Sequence, residues 1–180
     1  MFVMKVVLHI CCAVCAAGAV KSLLEEGHQV LGFLYNPNIY PVDEYQRRLE
    51  AAHRVARELY FKLEEGIYNP EGWLEATINL ENEPEGGKRC AVCFEYRLLE
   101  TYRFMIKRGG DAFTTTLTVG PSKSAAVINN IGYNIGGEQF LARDFKKKDG
   151  FKRAIALSRQ WELYRQNYCG CIYSYKAISG

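Results

Sequence analysis

Val3-Met-Lys-Val-Val-Leu-His-Ile10, followed at once by Cys11-Cys-Ala-Val-Cys15, is the stretch that decides the fold. Its first part is a short, largely apolar run of the kind shown by a parallel strand buried on both faces. Ala13–Glu26 then reads as a helix that Gly27 stops. A buried strand running straight into a helix is the opening of a βαβ unit, and the chain beyond it keeps alternating. Gln29–Tyr35 is a second strand, ended by the turn-rich Asn36-Pro-Asn-Ile-Tyr-Pro41. Asp43–Tyr60 is a long helix whose apolar stripe is Tyr45, Leu49, Ala52, Ala56 and Leu59, with Arg47, Arg48, Arg54 and Arg57 facing elsewhere.

A short strand at Phe61–Glu64, a weaker helix at Asn69–Leu80 and a loop at Glu81–Lys88 follow. Cys90–Lys107 is a helix, Asp111–Thr118 a strand and Ser122–Ile135 a helix. Gln139–Ala142 is a last strand, and Phe151–Arg165 a last helix. The alternation predicts an α/β fold, a parallel sheet with helices on both faces. Ligands in such sheets sit beyond the carboxyl ends of the strands, which is where the site is expected.

The remaining arithmetic limits the possibilities. At 180 residues, 48% apolar and 24% charged, the chain has globular composition, and disordered, collagen-like and low-complexity architectures are excluded. One domain spanning 1–180 is expected, its C-terminal helix and Cys-x-Cys tail completing the site. No run of 18 apolar residues exists, so no membrane partner is expected. The N-terminal stretch lacks the basic flank and small-residue cleavage site of a signal peptide, and a cytoplasmic location is expected. Residues 141–180 carry nine Lys and Arg against three Asp and Glu. That asymmetry points to a polyanionic partner, or to a solvated basic face.

Seven cysteines in a reducing compartment are the informative count. They form three groups, each at a strand end or a helix end: Cys11, Cys12 and Cys15; Cys90 and Cys93; Cys169 and Cys171. Thiols at a helix start lie near the positive end of its dipole, which favours the thiolate that a metal needs. Two Cys-x-x-Cys pairs and a Cys-x-Cys in one small chain point to a metal site. Structural zinc prefers a closed tetrahedron in a small knuckle, whereas adjacent Cys11 and Cys12 more easily reach two irons of a cubane, which favours an iron–sulfur cluster. His9, His28 and His53 lack metal-ligand spacing and read as structural, with His9, two residues before Cys11, the exception to watch. A Gly-x-Ser-x-Gly elbow and a glycine-rich phosphate cradle are both missing, so serine hydrolysis and nucleotide activation have no support.

Leu8-His-Ile-Cys-Cys-Ala-Val-Cys15, Phe33-Leu-Tyr-Asn-Pro-Asn-Ile39, Arg89-Cys-Ala-Val-Cys93, Phe113-Thr-Thr-Thr-Leu117 and Tyr164-Arg-Gln-Asn-Tyr-Cys-Gly-Cys-Ile172 together resemble the cobalamin-independent epoxyqueuosine reductases, the QueH family. The resemblance runs from the first strand to Cys171, with Val14 standing where proline is expected. It implies a HUP-like fold and reduction of epoxyqueuosine to queuosine, with loss of water, at the wobble position of a tRNA anticodon. It also implies a [4Fe–4S] cluster on Cys11, Cys12, Cys90 and Cys93, and a redox-active pair, Cys169 and Cys171.

That reduction takes two electrons and two protons, while a cluster usually passes one electron at a time, so a second store and an external electron donor are expected. Cys15, Cys169 and Cys171 either cycle as dithiol and disulfide or hold a second metal ion, iron or zinc. Asp144 is a candidate metal ligand or proton donor, or else a loop carboxylate paired with Arg143 or Lys146. Tyr35, Asn36 and Asn38 are candidates for the substrate's cyclopentene hydroxyls. Lys146, Lys147 and Lys148, with Lys152, Arg153 and Arg159, are candidate tRNA phosphate contacts, the first three expected to face solvent. Trp161 and Tyr164 are candidate stacking partners for a base. Two other readings compete: a zinc-stabilised RNA-binding module without catalysis, and a thiol–disulfide exchange protein.

Overall fold

A computed structural model describes residues 3–179. The strands are β1 (Lys5–Ile10), β2 (Gln29–Leu34), β3 (Lys62–Glu65) and β4 (Ala112–Thr115). They form one parallel sheet in the order β3-β2-β1-β4, with Val6 opposite Val30 on one side and Ala112 on the other. The helices are α1 (Ala13–Glu25), α2 (Val42–Glu58), α3 (Pro70–Ala76), α4 (Lys88–Arg108), α5 (Ala125–Gly136), α6 (Gly150–Gln160) and α7 (Ile172–Ser179). Among the described residues no helix is long and apolar enough to cross a membrane.

The two-residue period of β1 divides the core. Val6, Leu8 and Ile10 point to the side packed by α1, α2 and α6, where alanines and valines of α1 let the backbones approach. Val7 points to the other side and packs with Leu31, Phe33, Phe113 and Met105 of α4. His9 follows Val7 in direction and is fully buried. Its Nδ1 lies 2.8 Å from Thr115 Oγ1 and its Nε2 3.1 Å from the Tyr35 carbonyl. Burial, and secondly the nearby Arg97 guanidinium, lower its pKa to about 3, so the ring is neutral and ties β1 to β2 and β4. The structural reading of this histidine holds.

The expected strand at Gln139–Ala142 is not one. A single parallel bridge joins Phe113 to Phe140, and Leu141 N–H donates to the Phe113 carbonyl at 2.8 Å. Phe140 alone in this segment is deeply buried, against Phe113 and Gly132, so one anchor residue holds the chain where a ladder was expected. β4 is also shorter than its threonine-rich sequence predicts. Thr115 Oγ1 accepts from Leu117 N–H, which turns the chain into a 3₁₀ segment, Thr116–Val119. The last predicted helix stops five residues early, and Glu162 in the left-handed region (φ 49°) reverses the chain. Residues 161–171 then run as a strap back to the carboxyl end of the sheet, and α7, absent from the sequence reading, follows them.

α1 and α6 pack closely enough that a Cβ on Gly18 would lie 2.9 Å from Ala154 Cβ. Gly150 is tighter: a Cβ there would come within 1.8 Å of the Phe145 carbonyl oxygen. Neither backbone can yield without moving α6. Gly150→Ala should therefore cost about 3 kcal/mol, the upper part of the overpacking range. Thermal unfolding should fall by roughly 6–12 °C; an unchanged midpoint would show that the 145–150 turn relaxes freely.

Candidate metal centre

The strand order reverses at β1, whose connections lead to β2 on one side while β4 returns on the other. That switch point is where an open α/β sheet leaves a crevice. Cys11, Cys12 and Cys15 stand in it because β1 ends at Ile10 and α1 starts at Ala13. Cys12 is extended (φ −164°) and caps α1, its Sγ accepting from Cys15 N–H at 3.4 Å. Thr116, beyond β4, donates its hydroxyl to Cys11 Sγ at 3.1 Å and accepts from Cys11 N–H at 2.9 Å. The three sulfurs lie within 4.8 Å of one another, and no other group of three His, Cys, Asp or Glu among the described residues comes together so.

Hydrogen bonds from Cys12 and Cys15 hold the Cys11 thiol well below its ordinary range, and Arg97 and Lys123 add to this against the cost of burial. The same bonds raise Cys15, and lift Cys12 to about 11. Of the three, Cys11 is the sulfur whose surroundings most favour the thiolate a metal needs.

The triad opens on a cavity of about 420 Å³, a size suited to a small-molecule ligand. Its walls include Asn38, Arg97, Lys123, Arg165, Gln166 and Cys169. Arg97 is 3% exposed and has no carboxylate partner among the described residues. Its Nη2 donates to Asn36 Oδ1 at 2.6 Å, its Nη1 lies 3.8 Å from Cys93 Sγ, and its Nε is buried without a partner. Lys123 also has no carboxylate partner among the described residues; burial disfavours its charge, but Cys169, Cys11 and Cys15 outweigh that and raise its pKa. Two cations without carboxylates beside clustered thiols are matched to an anionic thiolate–metal group. The donor set and its charge fit such a group.

A family model described as epoxyqueuosine reductase QueH matches residues 6–177. The chain belongs to that family. QueH relatives include that of Streptococcus pyogenes, 34% identical over 96% of this chain and 71% of its own length. The relative from Thermotoga maritima is 35% identical over 94% of this chain and 89% of its own. Among solved structures, the U34-tRNA thiolase NcsA of Methanococcus maripaludis, solved with its [4Fe–4S] cluster, superposes with a TM-score of 0.55 at 16% identity, over 95% of this chain and 61% of that one. NMN synthetase of Francisella tularensis gives 0.56 at 11%, over 93% and 68%. These two share the HUP-like, Rossmann-type fold expected from the sequence. QueH membership sets aside the zinc module and the thiol-exchange protein.

Within this QueH fold the other four cysteines lie outside the triad's 4.8 Å group. Cys90 and Cys93 start α4, and Cys93 packs with Trp73 and Cys171. Cys90 Sγ accepts from Gly86 N–H at 3.2 Å and Cys171 Sγ from Ser174 N–H at 3.4 Å. Burial raises the thiols of Cys90, Cys93 and Cys171, with Arg97 and Trp73 opposing the rise at Cys93. Cys90, Cys169 and Cys171 line a second cavity of about 240 Å³. Cys169 borders both cavities, and all seven cysteines are free thiols.

Several expected contacts fall elsewhere. Tyr35 does not line the cavity; its ring stacks between Phe33 and Tyr96 on the α4 side of the sheet, because alternation along β2 turns it there. Asn36 bridges the Ile10 carbonyl and Arg97, so its amide is spent on positioning. Asn38 does line the cavity, 3% exposed, with Oδ1 buried and unpartnered. Asp144 is not in either wall and pairs with Lys146 at 2.9 Å. Lys146 does not face solvent freely as expected, since its ammonium also reaches the Thr118 and Lys123 carbonyls. Lys147 and Lys148 are exposed. Trp161 packs on the main core.

The sequence reading missed Arg97 and Arg48. Arg97 follows Cys93 by one helical turn, a spacing that carried the signal. Arg48, buried on α2 and not at its solvent side as expected, pairs with Glu44 at 2.7 Å and donates to the Cys169 and Tyr168 carbonyls at 3.0 and 3.1 Å. Tyr164 closes the same network on Glu44 at 2.6 Å. Lys123 left no signal, lying in a loop after β4.

Proposed function

We propose that this chain reduces epoxyqueuosine to queuosine at the wobble position of tRNA, releasing the epoxide oxygen as water. What carries the reading, beyond family membership, is a cysteine triad at the sheet's switch point that shares one cavity with Asn38 and Cys169. The reaction consumes two electrons and two protons, drawn from an external reductant. A [4Fe–4S] cluster, held by Cys11, Cys12, Cys90 and Cys93 in the assignment that the family resemblance implies, would supply one-electron transfer.

The chain's own residues do the rest. Arg97 and Lys123 favour the thiolate of Cys11, and Thr116 fixes its sulfur. Asn38 Oδ1 accepts from a hydroxyl of the substrate's cyclopentane ring, which relieves an unpaired buried acceptor at a cost otherwise of about 1–3 kcal/mol. Cys169 and Cys171 either release two electrons and two protons on forming a disulfide, or join Cys15 in holding a second metal ion. Asp144 acts through Lys146 and the 118–123 loop, and Lys147 and Lys148 contact RNA phosphate.

The test is conversion of tRNA-borne epoxyqueuosine by anaerobically purified protein with a low-potential reductant, followed by nucleoside mass analysis. Loss of one oxygen from the modified nucleoside is expected. An iron- and sulfide-loaded protein that leaves the epoxide intact would overturn the reading.

A further inference from the structure

Beside the strap, and outside the metal centre, lies a groove of about 250 Å³ between α2 and the Glu162–Tyr164 turn. Arg47, Arg54 and Arg57 line it at positions that share one face of α2, with Glu50 and Glu162 as the opposing carboxylates. Arg47 is engaged by Asp43 and Glu44. Arg54 and Arg57 have no ion pair or side-chain hydrogen bond among the described residues, although Glu50 is one turn from Arg54. The basic run of the C-terminal quarter is less free: Lys146 is tied to Asp144, Lys152 to Asp149 and Arg153 to Glu25.

Tyr164 walls this groove, and the next residues, Arg165 to Cys169, wall the thiol cavity. Five residues span at most ~18 Å, so groove and cavity are neighbours along one strap. We propose that this arginine groove binds backbone phosphates of the nucleotides flanking the one whose base enters the cavity. The inference rests on the reading that the substrate is a tRNA. The planar guanidinium fork of Arg54 and Arg57 suits phosphate, and an anion there supplies the counter-charge these side chains lack. Tyr164 is held by Glu44, so the groove wall is fixed to the same network that holds the strap.

The test measures binding of an unmodified tRNA transcript against salt for wild type, Arg54→Gln/Arg57→Gln, and a control pair, Lys21→Gln/Lys107→Gln, on other exposed surfaces. Circular dichroism confirms that each variant is folded. Removing two phosphate contacts should lower the salt slope by about 1.4 to 1.8 and weaken binding about tenfold near physiological salt. The control pair should match wild type. A slope and affinity for the arginine variant equal to wild type would overturn the groove, as would an equal loss in the control. The outcomes separate from those of the reduction assay. Wild type that binds tRNA with the expected slope but leaves the epoxide intact overturns the reading of function, whereas active wild type with an unaltered variant slope overturns only the groove.

Discussion

Cys11→Ala should give a folded protein stripped of its metal, with epoxide reduction down at least ~100-fold. The expectation follows from position: Cys11 is the sulfur on which the triad's hydrogen bonds converge, and it alone is shifted toward the thiolate. Loss of residues that merely support metal ligands typically costs 10–100-fold, and removing the central sulfur should exceed that. The fold should survive, because Cys11 is half-buried at a strand end and the sheet is secured by His9, Asn36 and the apolar rows of β1. Iron and sulfide content against the melting temperature is the measurement. A variant with near-wild-type iron would remove Cys11 from the centre. The same measurement on Cys15→Ala and Cys93→Ala sorts the ligands: iron lost with Cys93 but kept with Cys15 supports the set drawn from both cysteine pairs, and the reverse builds the centre on the triad.

The largest effect on stability should come from Arg48→Met. Glu44 and Arg48 side chains are 4% and 3% exposed, so methionine would leave a buried carboxylate with only the longer, largely exposed contact to Arg47 at 3.8 Å. Breaking one partner of such a pair costs about 3–5 kcal/mol. For a chain of this size that is roughly 10 °C in melting temperature. Because Arg48 also donates to the Tyr168 and Cys169 carbonyls, proteolysis should cut the strap sooner than the sheet. Adding Glu44→Gln should recover part of the loss, since it removes the stranded charge. If Arg48→Met melts with wild type, the pair contributes nothing and the strap is held by other contacts.

The alternation of strand and helix, and the placement of all three cysteine groups near one end of the sheet, were legible because both depend on local pattern: apolar runs, a stop at Gly27, and thiols at helix starts. What escaped was set by distance in sequence. Tyr35 looked like a substrate contact because it ends a strand, but the pleat turns its ring into the opposite core. Arg48 looked solvent-facing from its helical angle, and only the strap returning from residue 161 onward buries it. Lys146 lies in a basic run that reads as a nucleic-acid footprint, yet carbonyls of a loop some 25 residues away claim its ammonium. α7 was missed because its eight residues lack the amphipathic stripe that marks a helix. Asn38 was named among three adjacent candidates, and only burial without a partner separates it from Asn36.

The strap is sewn down by hydrogen bonds between residues about 120 positions apart or more: Arg48 to Tyr168 and Cys169, Tyr164 to Glu44, and Tyr168 to the Tyr40 carbonyl. Contacts that close so long a loop are entropically the dearest to make, so they are gained late in folding and surrendered early in any partial opening. The triad and all four strands precede Cys169 in the chain, so the wall that carries Cys169 is the last part of the site to be synthesised. Docking of that segment completes the cavity onto which the triad opens, so the enclosure of the three thiols depends on the last contacts the chain makes.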